Sequence, residues 1–468
     1  MITKKLGEVA VMCGGTLTHD HDRDIQMNGV FTDSRKLVRG RLFIPLVGEN
    51  FDGHAFAAAA LEGGACGVMW QRDRGIPPEG PVIVVEDTLA ALQALAKAYL
   101  ADVGCRVVGI TGSNGKTTTK DMVYSLLGTT FKVHKTGGNF NNHIGLPLTI
   151  LEMPSDTEIA VLEMGMSGRH EIESLSAIAN PEVAVITNIG EAHLLQLGSR
   201  HEIARAKLEI ISGMKPGGLL VYHGDEPLIP LVLGEADTVK PEGLKTFTFG
   251  IDQQHNDDYP TGMMFHSNGI TFTSHLHPEH GLELPLLGQH NVVNCLAALA
   301  VASHFGVSED KIVKGISGLQ MTGMRIEQIT APSGLTLLND AYNASPLSVK
   351  AAIDVLDSLK GYSQKVAVLG DMLELGPKEL EFHAEVGEYA AGGKVDMLYT
   401  YGQLSEEAAK AASIKRPDLP VYHFTDKKEL ASHLAGQVHP KDVVLIKASR
   451  GMKMEEIVDA LVKEDLHN

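Results

Sequence analysis

The succession of short apolar runs and amphipathic stretches predicts an α/β protein of three domains. A small N-terminal α/β unit covers residues 1–83. A central unit with a mostly parallel, ATPase-like sheet covers 84–321, and a C-terminal unit with dinucleotide-fold order covers 322–468. Three observations carry this reading. A chain of 468 residues is too long for one core. From residue 106 onward, continuous apolar runs alternate with helical patterns, as they do when strands are buried on both faces of a parallel sheet. The apolar run 106–110 also leads straight into Thr111-Gly112-Ser113-Asn114-Gly115-Lys116-Thr117-Thr118-Thr119-Lys120, a glycine-rich turn opening a helix.

In the first segment, strand-type runs lie at 41–47, 67–70 and 82–85, with an alanine-rich helix at 55–62. The loop Gly75-Ile76-Pro77-Pro78-Glu79-Gly80 punctuates the chain before the first boundary. Thr88 caps a helix over 89–100, which delivers the chain to the strand 106–110. Strands follow at 158–163, 183–187 and 218–222, with helices at 116–127, 170–179 and 201–213. The first of these helices packs Met122, Val123, Leu126 and Leu127. The stretch 245–287 alternates Thr, Phe, His and Gly and reads as an antiparallel extension, before an alanine-rich helix over 291–305. Past 322 the strands are 335–339, 366–369, 397–401, 421–424 and 443–447. Helices at 346–359, 378–391, 404–413, 426–435 and 454–463 fill the gaps. No GxGxxG accompanies this order, so the fold by itself carries no function.

The loop has what a nucleotide triphosphate requires. Gly112 and Gly115 let backbone N–H groups approach phosphate oxygens, Lys116 supplies a cation, and Thr117 can place its hydroxyl on Mg²⁺. Ile110 stands where the general phosphate-loop pattern has a glycine, so this is a shortened GxxGKT form. The competing reading is a tight strand–helix turn whose lysine faces water.

Other candidates collect at strand ends, where ligands of open α/β sheets bind. Glu163 ends one strand, Asn188 and then His193 follow another, and Asp340 and Asp371 end two more. A carboxylate there suits Mg²⁺, although singly each could be a turn former; glutamate is a poor cap, which favours the ligand reading for Glu163. Lys207 shares a helical face with Ile203, Ile210 and Ile211. Either its stem packs while its amine reaches water, or the amine is desolvated, loses its proton and takes up CO₂. The resulting carbamate would be an anionic ligand for a second Mg²⁺ with His193. The run 288–294 could offer amides of Asn291 and Asn294 to an adenine or phosphate edge. Arg325 could contact phosphate or make a surface ion pair. Ser34 and Arg35 lie in a loop-like stretch.

Composition narrows the classes. A formal charge of −18 argues against a nucleic-acid or anionic-membrane partner. The four cysteines, Cys13, Cys66, Cys105 and Cys295, are isolated and read as reduced, which fits the cytoplasm. No apolar stretch is long enough to span a bilayer, and the N-terminus has no signal-peptide pattern.

The loop 111–120, followed in order by Glu163, His193, Lys207, Asn294, Arg325 and Asp340, is similar to the pattern of the Mur ligase superfamily, and the likeness spans all three segments. The runs 138–147, 339–346, 368–376 and 447–455 most resemble the branch that joins D-alanyl-D-alanine to UDP-N-acetylmuramoyl-tripeptide. The Asp-Asn-Pro-Arg motif of the diaminopimelate-adding branch is absent, and Ala341-Tyr342-Asn343-Ala344-Ser345-Pro346 replaces the Ala-His-Asn-Pro of folate-type relatives. The resemblance implies ATP held by Gly112, Ser113, Asn114, Gly115, Lys116, Thr117 and Thr118, with Asn291, Asn294, Arg325, Asp340, Tyr342 and Asn343 completing the nucleotide site. It implies two Mg²⁺ ions on Thr117, Glu163, His193 and carbamoylated Lys207, and catalytic roles for Lys116, Glu163, His193, Lys207, Arg325 and Asp340. Ser34 and Arg35 match a uridine-diphosphate loop, and Asn139, Asn141 and Asn142 are implied to contact the muramoyl substrate. A cytoplasmic monomer is the accompanying expectation. A phosphate-loop kinase or ATPase, another amide ligase of the superfamily, and a non-catalytic nucleotide-sugar sensor are the alternatives.

Overall fold

The computed structural model describes residues 1–253 and 256–463. The last five positions of the C-terminal unit as delimited above therefore lie outside the described residues. Among the described residues, two six-stranded sheets and one five-stranded sheet frame the molecule.

The central sheet runs in the order Val133–Lys135, Ile159–Glu163, Arg106–Thr111, Val183–Ile186, Leu219–His223 and Lys245–Phe249, with every neighbouring pair parallel. The chain leaves Arg106–Thr111 toward one edge and leaves Val183–Ile186 toward the other. The crevice between these two strands is thus the switch point where open sheets bind ligands. Register places Ile110 beside Glu163 and Thr111 beside Ile186, so the acid stands next to the glycine loop.

The helix Lys116–Gly128 starts from that loop and buries Met122, Val123, Leu126 and Leu127, as its spacing predicts. They share one apolar cluster with Val292, Leu296 and Leu299 of the helix Gln289–His304. Each such side chain contributes about 1.5–3 kcal/mol by leaving water, enough to hold the loop on a rigid support.

The C-terminal sheet runs Glu327–Thr330, Thr336–Asp340, Val443–Lys447, Lys365–Gly370, Met397–Tyr401 and Val421–Phe424. Only the first strand is antiparallel to its neighbour. The N-terminal sheet runs Thr16–Leu17, Val82–Val85, Gly67–Gln71, Leu42–Phe43 and Val30–Phe31. One apolar cluster extends from Ile2 and Leu6 through Leu92 and Leu95 to Leu146 and Ile186, so the helix Thr88–Val103 joins the N-terminal sheet to the central one.

Several expectations need correction. The strand placed at 41–47 is only Leu42–Phe43, and Val47–Gly48 pairs with Phe51–Asp52 instead; Pro45 has no N–H to continue a ladder. Asp87, not Thr88, caps the following helix, accepting from Ala90 N at 2.7 Å. Lys245–Phe249 is a parallel edge of the central sheet, while Pro260–His266, Gly269–Ser274 and Leu282–Leu284 do form an antiparallel sheet. The helix expected over 201–213 is Arg200–Leu208, continued by the tighter turn Glu209–Ile211. The helix expected over 291–305 starts two residues earlier, as Gln289–His304. Helices at Leu6–Met12, Gly145–Glu152, Leu194–Leu197, Leu228–Leu233 and Glu309–Ser317 escaped sequence reading. Gly145–Glu152 has Pro147 in its opening turn, where no N–H is required.

Candidate active site

The glycines of the loop are there because nothing larger fits. Gly112 has φ 149°, and a Cβ there would stand 1.8 Å from Thr187 Oγ1. Gly115 has φ 79° at the helix N-terminus, and a Cβ would meet Asn294 Oδ1 at 2.5 Å. The turn after Val183–Ile186 braces the loop across the crevice. Ser113 N donates to Asn188 O at 3.1 Å, Asn114 N to Asn188 Oδ1 at 2.9 Å, and Gly190 N to Ser113 Oγ at 2.8 Å. The Thr187 hydroxyl donates to Asn114 O. Lys116 folds over the loop, its Nζ donating to Gly112 O at 2.8 Å. Burial lowers its pKa from the ordinary lysine value.

Glu163 is fully walled in at the neighbouring strand end. Its Oε2 accepts from Thr117 Oγ1 at 2.9 Å, its Oε1 from Asn141 Nδ2 at 2.9 Å, and its backbone N–H donates to Thr136 Oγ1 at 3.0 Å. Arg325 comes from the segment beyond the central sheet and donates Nη2 to Thr117 Oγ1 at 2.8 Å. Its guanidinium carbon lies 4.2 Å from the Tyr342 ring centre. Of its two sequence readings, the inward one holds. The expectation for Thr117 is modified: its hydroxyl is engaged on both sides, by Glu163 and by Arg325, so a cation there must take over the position of the guanidinium N–H.

Lys207 is only 2% exposed, against Ile203 and Ile211 at 0%. Among the described residues its ammonium makes no hydrogen bond or ion pair, and burial, reinforced by Lys116, holds its pKa well below the ordinary value. The packed stem does not lead to an amine in open water. His193 sits at φ 66° after Val183–Ile186. Burial, then Lys207 and Lys116, push its pKa down to about 4. Its Nδ1 is buried without an aligned hydrogen bond, 3.2 Å from Oε2 of Glu374 on the loop after Lys365–Gly370. Glu374 has φ 65°, and Gly376 behind it packs on the Leu195 backbone, where a Cβ would come within 3.1 Å. One buried and one half-buried lysine thus face one cavity beside an unsatisfied imidazole, an arrangement that calls for anionic oxygen. Among the described residues no three His, Cys, Asp or Glu side chains converge as a metal site. A divalent cation held here needs hydroxyl, phosphate or carbamate oxygens as well as Glu163 and His193, and those are the donors the residues offer.

The far wall belongs to the C-terminal sheet. Asp340 pairs with Lys447 across adjacent strands at 2.6 Å, and Lys447 also donates to Asn343 O at 2.9 Å. The Ser345 hydroxyl reaches Asn114 Oδ1 at 3.3 Å. The amides expected to read a ligand also brace the wall. Asn291 Nδ2 donates to Leu287 O at 2.8 Å, Asn294 Nδ2 to Asn291 Oδ1 at 3.2 Å, and Asn294 Oδ1 accepts from Thr119 at 3.4 Å. Asn142 Oδ1 accepts from Gly145 N at 2.8 Å, opening the helix Gly145–Glu152.

Ser113, Asn114, Gly115, Lys116, Thr117, Thr118, Asn139, Asn141, Asn142, Glu163, His193, Lys207, Asn291, Asn294, Arg325, Asp340, Tyr342 and Asn343 line one cavity of about 630 Å³. Gly112 lies directly under the loop, outside the lining. Ser34 and Arg35 are not brought there: they follow Val30–Phe31, where Arg35 pairs with Asp33 at 2.8 Å on the surface. Asn188, a strand-end candidate, lines the cavity too, as do Thr187, His290 and Lys447, which were not singled out as site residues. Lys447 could have been found, since it ends an apolar strand in a chain whose other strand ends carry the chemistry.

Three family models match: "Mur ligase family, catalytic domain" over residues 26–100, "Mur ligase middle domain" over 110–302, and "Mur ligase, glutamate ligase domain" over 324–450. UDP-N-acetylmuramoyl-tripeptide–D-alanyl-D-alanine ligase of Bacillus subtilis (strain 168) is 50% identical over 100% of both chains. The Escherichia coli (strain K12) protein of the same name is 34% identical over 98% of this chain and 99% of its own. A crystal structure of MurF from Acinetobacter baumannii superposes with a TM-score of 0.88 at 31% identity, covering 99% of this chain and 100% of that one. MurF ligase from Thermotoga maritima in complex with ADP gives 0.82 at 30% identity, covering 94% and 98%. With the glycine loop, Glu163 and Arg325 converging as described, and with relatives matched end to end, the chain belongs to the Mur ligase family.

Proposed function

We propose that this chain is the ATP-dependent peptide ligase that joins D-alanyl-D-alanine to UDP-N-acetylmuramoyl-tripeptide, giving the pentapeptide precursor of peptidoglycan. One observation carries the reading: a phosphate loop, a buried acid and an unpaired buried lysine line one cavity, which Arg325 enters from the C-terminal side. The full-length likeness to ligases of that name supports the choice of substrates.

The tripeptide's terminal carboxylate attacks the γ-phosphorus of ATP, the bond to the β-phosphate oxygen breaks, and ADP leaves. The amine of D-alanyl-D-alanine then adds to the acyl carbon of the acyl phosphate. The tetrahedral adduct expels phosphate, and the amine proton passes to solvent. The first step brings two anions together and the second builds and expels one, so the protein's work is positioning and charge neutralisation. Lys116 and Arg325, which line the same cavity beside the glycine loop, would supply positive charge to the transferring phosphoryl group. Two Mg²⁺ ions belong to this proposal, one on Thr117 and Glu163, the other on His193 and a carbamate of Lys207. They would neutralise phosphate charge. The low pKa of Lys207 favours the free amine that reacts with CO₂.

The uridine-diphosphate end is assigned to Ser34 and Arg35, and the muramoyl peptide to the loop carrying Asn139, Asn141 and Asn142. Division at 83/84 and 321/322, a monomeric state and a cytoplasmic location complete the proposal. Among the described residues no helix is long and apolar enough to cross a membrane.

The test is dependence. ADP should appear only when the muramoyl tripeptide is present, and mass spectrometry should show pentapeptide only when D-alanyl-D-alanine is added too. Brisk ATP hydrolysis with no peptide present would favour the ATPase alternative.

A further inference from the structure

The segment joining the central and C-terminal sheets runs along one face of the phosphate-loop helix. Thr322 donates its backbone N–H to Asp121 Oδ2 at 2.8 Å, and three residues later Arg325 donates to Thr117 Oγ1 at 2.8 Å. Thr117 and Asp121 are one turn apart on Lys116–Gly128, so both contacts fall on the same face. Residue 322 lies between the stretches matched to the middle and C-terminal family models, 110–302 and 324–450.

This linker is strained. Met324 at φ 61° and Ile326 at φ 53° flank Arg325 in the left-handed region, where a β-branched residue is an outlier. Such conformations persist only where the surroundings over-determine them. The contacts that do so can be identified: Met324 N donates to Glu327 Oε2 at 2.9 Å, Arg325 stacks on Tyr342, and Asp121 holds the upstream end.

Asp121 is wholly buried and divides its two oxygens. Oδ1 takes Lys135 Nζ at 2.7 Å, with Lys120 Nζ 3.5 Å away and without a hydrogen bond of its own. Oδ2 is left for the linker, although two ammonium groups compete for the carboxylate.

We propose that Asp121 is a positioning residue: it anchors the linker one helical turn beyond Thr117, so that Arg325 is delivered to the phosphate side of the cavity. This rests on the reading of Arg325 as a phosphate contact given above.

The test measures kcat, KM for ATP and thermal unfolding of Asp121→Ala, Arg325→Ala, their double variant, and Asp121→Asn/Lys135→Met. Asp121→Ala should melt cooperatively and lose about tenfold or more in kcat with a smaller change in KM. Adding it to Arg325→Ala should cost little more, because both act through one guanidinium. Asp121→Asn/Lys135→Met should keep kcat within about threefold, since the amide oxygen still accepts the Thr322 N–H, the hydrogen-bonded donor Lys135 is gone, and Lys120, whose pKa burial already lowers, can stand neutral beside the amide.

A folded Asp121→Ala at wild-type kcat, or losses that multiply in the double variant, would overturn the proposal. So would an Asp121→Asn/Lys135→Met protein that is unfolded or slowed more than tenfold, because the carboxylate's charge would then be what matters. If Asp121→Ala does not fold, that isosteric pair decides alone by the same criteria. Wild-type kcat in Arg325→Ala would refute the reading of Arg325 itself; a slow Arg325→Ala beside a normal Asp121→Ala refutes only the anchor.

Discussion

Lys116 and Lys207 face the same cavity with opposite tasks. Lys116 leans on carbonyls of its own loop and forms no ion pair among the described residues, and Glu163 nearby keeps its hydrogen bonds from Thr117 and Asn141, so truncation breaks no salt bridge. Lys116→Ala should therefore fold normally and lose more than about tenfold in kcat, since a smaller loss is under ~1.4 kcal/mol of transition-state stabilisation. A steady-state assay beside a melting curve checks both halves. Lys207 is a cation without a partner in an apolar surround, which is costly unless the amine is neutral or converted to an anion. Lys207→Ala should lose activity, and acetate should restore part of it by occupying the place of the carbamate. Lys207→Arg should not respond, because the guanidinium fills the space and stays positive. Full activity of Lys207→Ala without additives would leave the lysine as packing alone.

Between elements, the strand Arg106–Thr111 is tied at its start to the next strand and to the helix Gln289–His304. Glu182 accepts from Arg106 Nε at 2.9 Å and contacts His304 Nε2 at 3.0 Å, while Arg106 stacks 4.0 Å over Phe305. The Arg106 hydrogen bonds pull the Glu182 carboxyl pKa from 4.5 to about 2. A lowered carboxyl pKa means that the unfolded chain binds the proton more readily. The contribution is therefore full above pH ~5 and is lost as pH falls toward ~2. With the Arg106 side chain 42% exposed, water screens the pair. Glu182→Gln should cost about 1 kcal/mol near neutral pH and progressively less toward pH ~2, read as denaturant midpoints of both proteins. A gap that does not change with pH would show that the bridge holds nothing.

At the scale of the molecule, the cavity is built between two sheets, closed by side chains, loops and the linker that carries Arg325. The central sheet supplies the loop, Glu163, His193 and Lys207; the C-terminal sheet supplies Asp340, Tyr342, Lys447 and the approach of Ser345 to Asn114. A ligand bridging them stabilises both together. A non-hydrolysable ATP analogue at about 100 times its Kd should raise stability by about 2.7 kcal/mol. It should also protect backbone amides over both 112–119 and 340–348 from hydrogen exchange. Protection confined to 112–119 would mean that the nucleotide does not engage the C-terminal wall.

Much of this was readable without coordinates, and its limits are physical. The glycine loop is contiguous, so strand, turn, lysine and helix start appear in order between residues 106 and 120, and the apolar parallel strands betray themselves by composition. The burial of Lys207 follows from helical periodicity, because positions four apart must share a face. The isolated edges were less legible: Lys245–Phe249 pairs parallel, and Leu42–Phe43 stops short, because ladder partners are chosen by neighbours distant in sequence. Nor does local pattern say whether a side chain's hydrogen bonds are already taken. Asn291 and Asn294 read as ligand contacts, and in the structure they also brace the packing of two helices; Asp340 read as a strand-end acid, and strand register sets Lys447 against it. What the sequence determined by itself is the chemistry available at each strand end and on each helical face. Which of those groups face the same space, and which are left without a partner there, was decided only by the tertiary structure. Arg325 reaches Thr117, and Lys207 is left beside His193 and Lys116, through contacts between residues far apart in the chain.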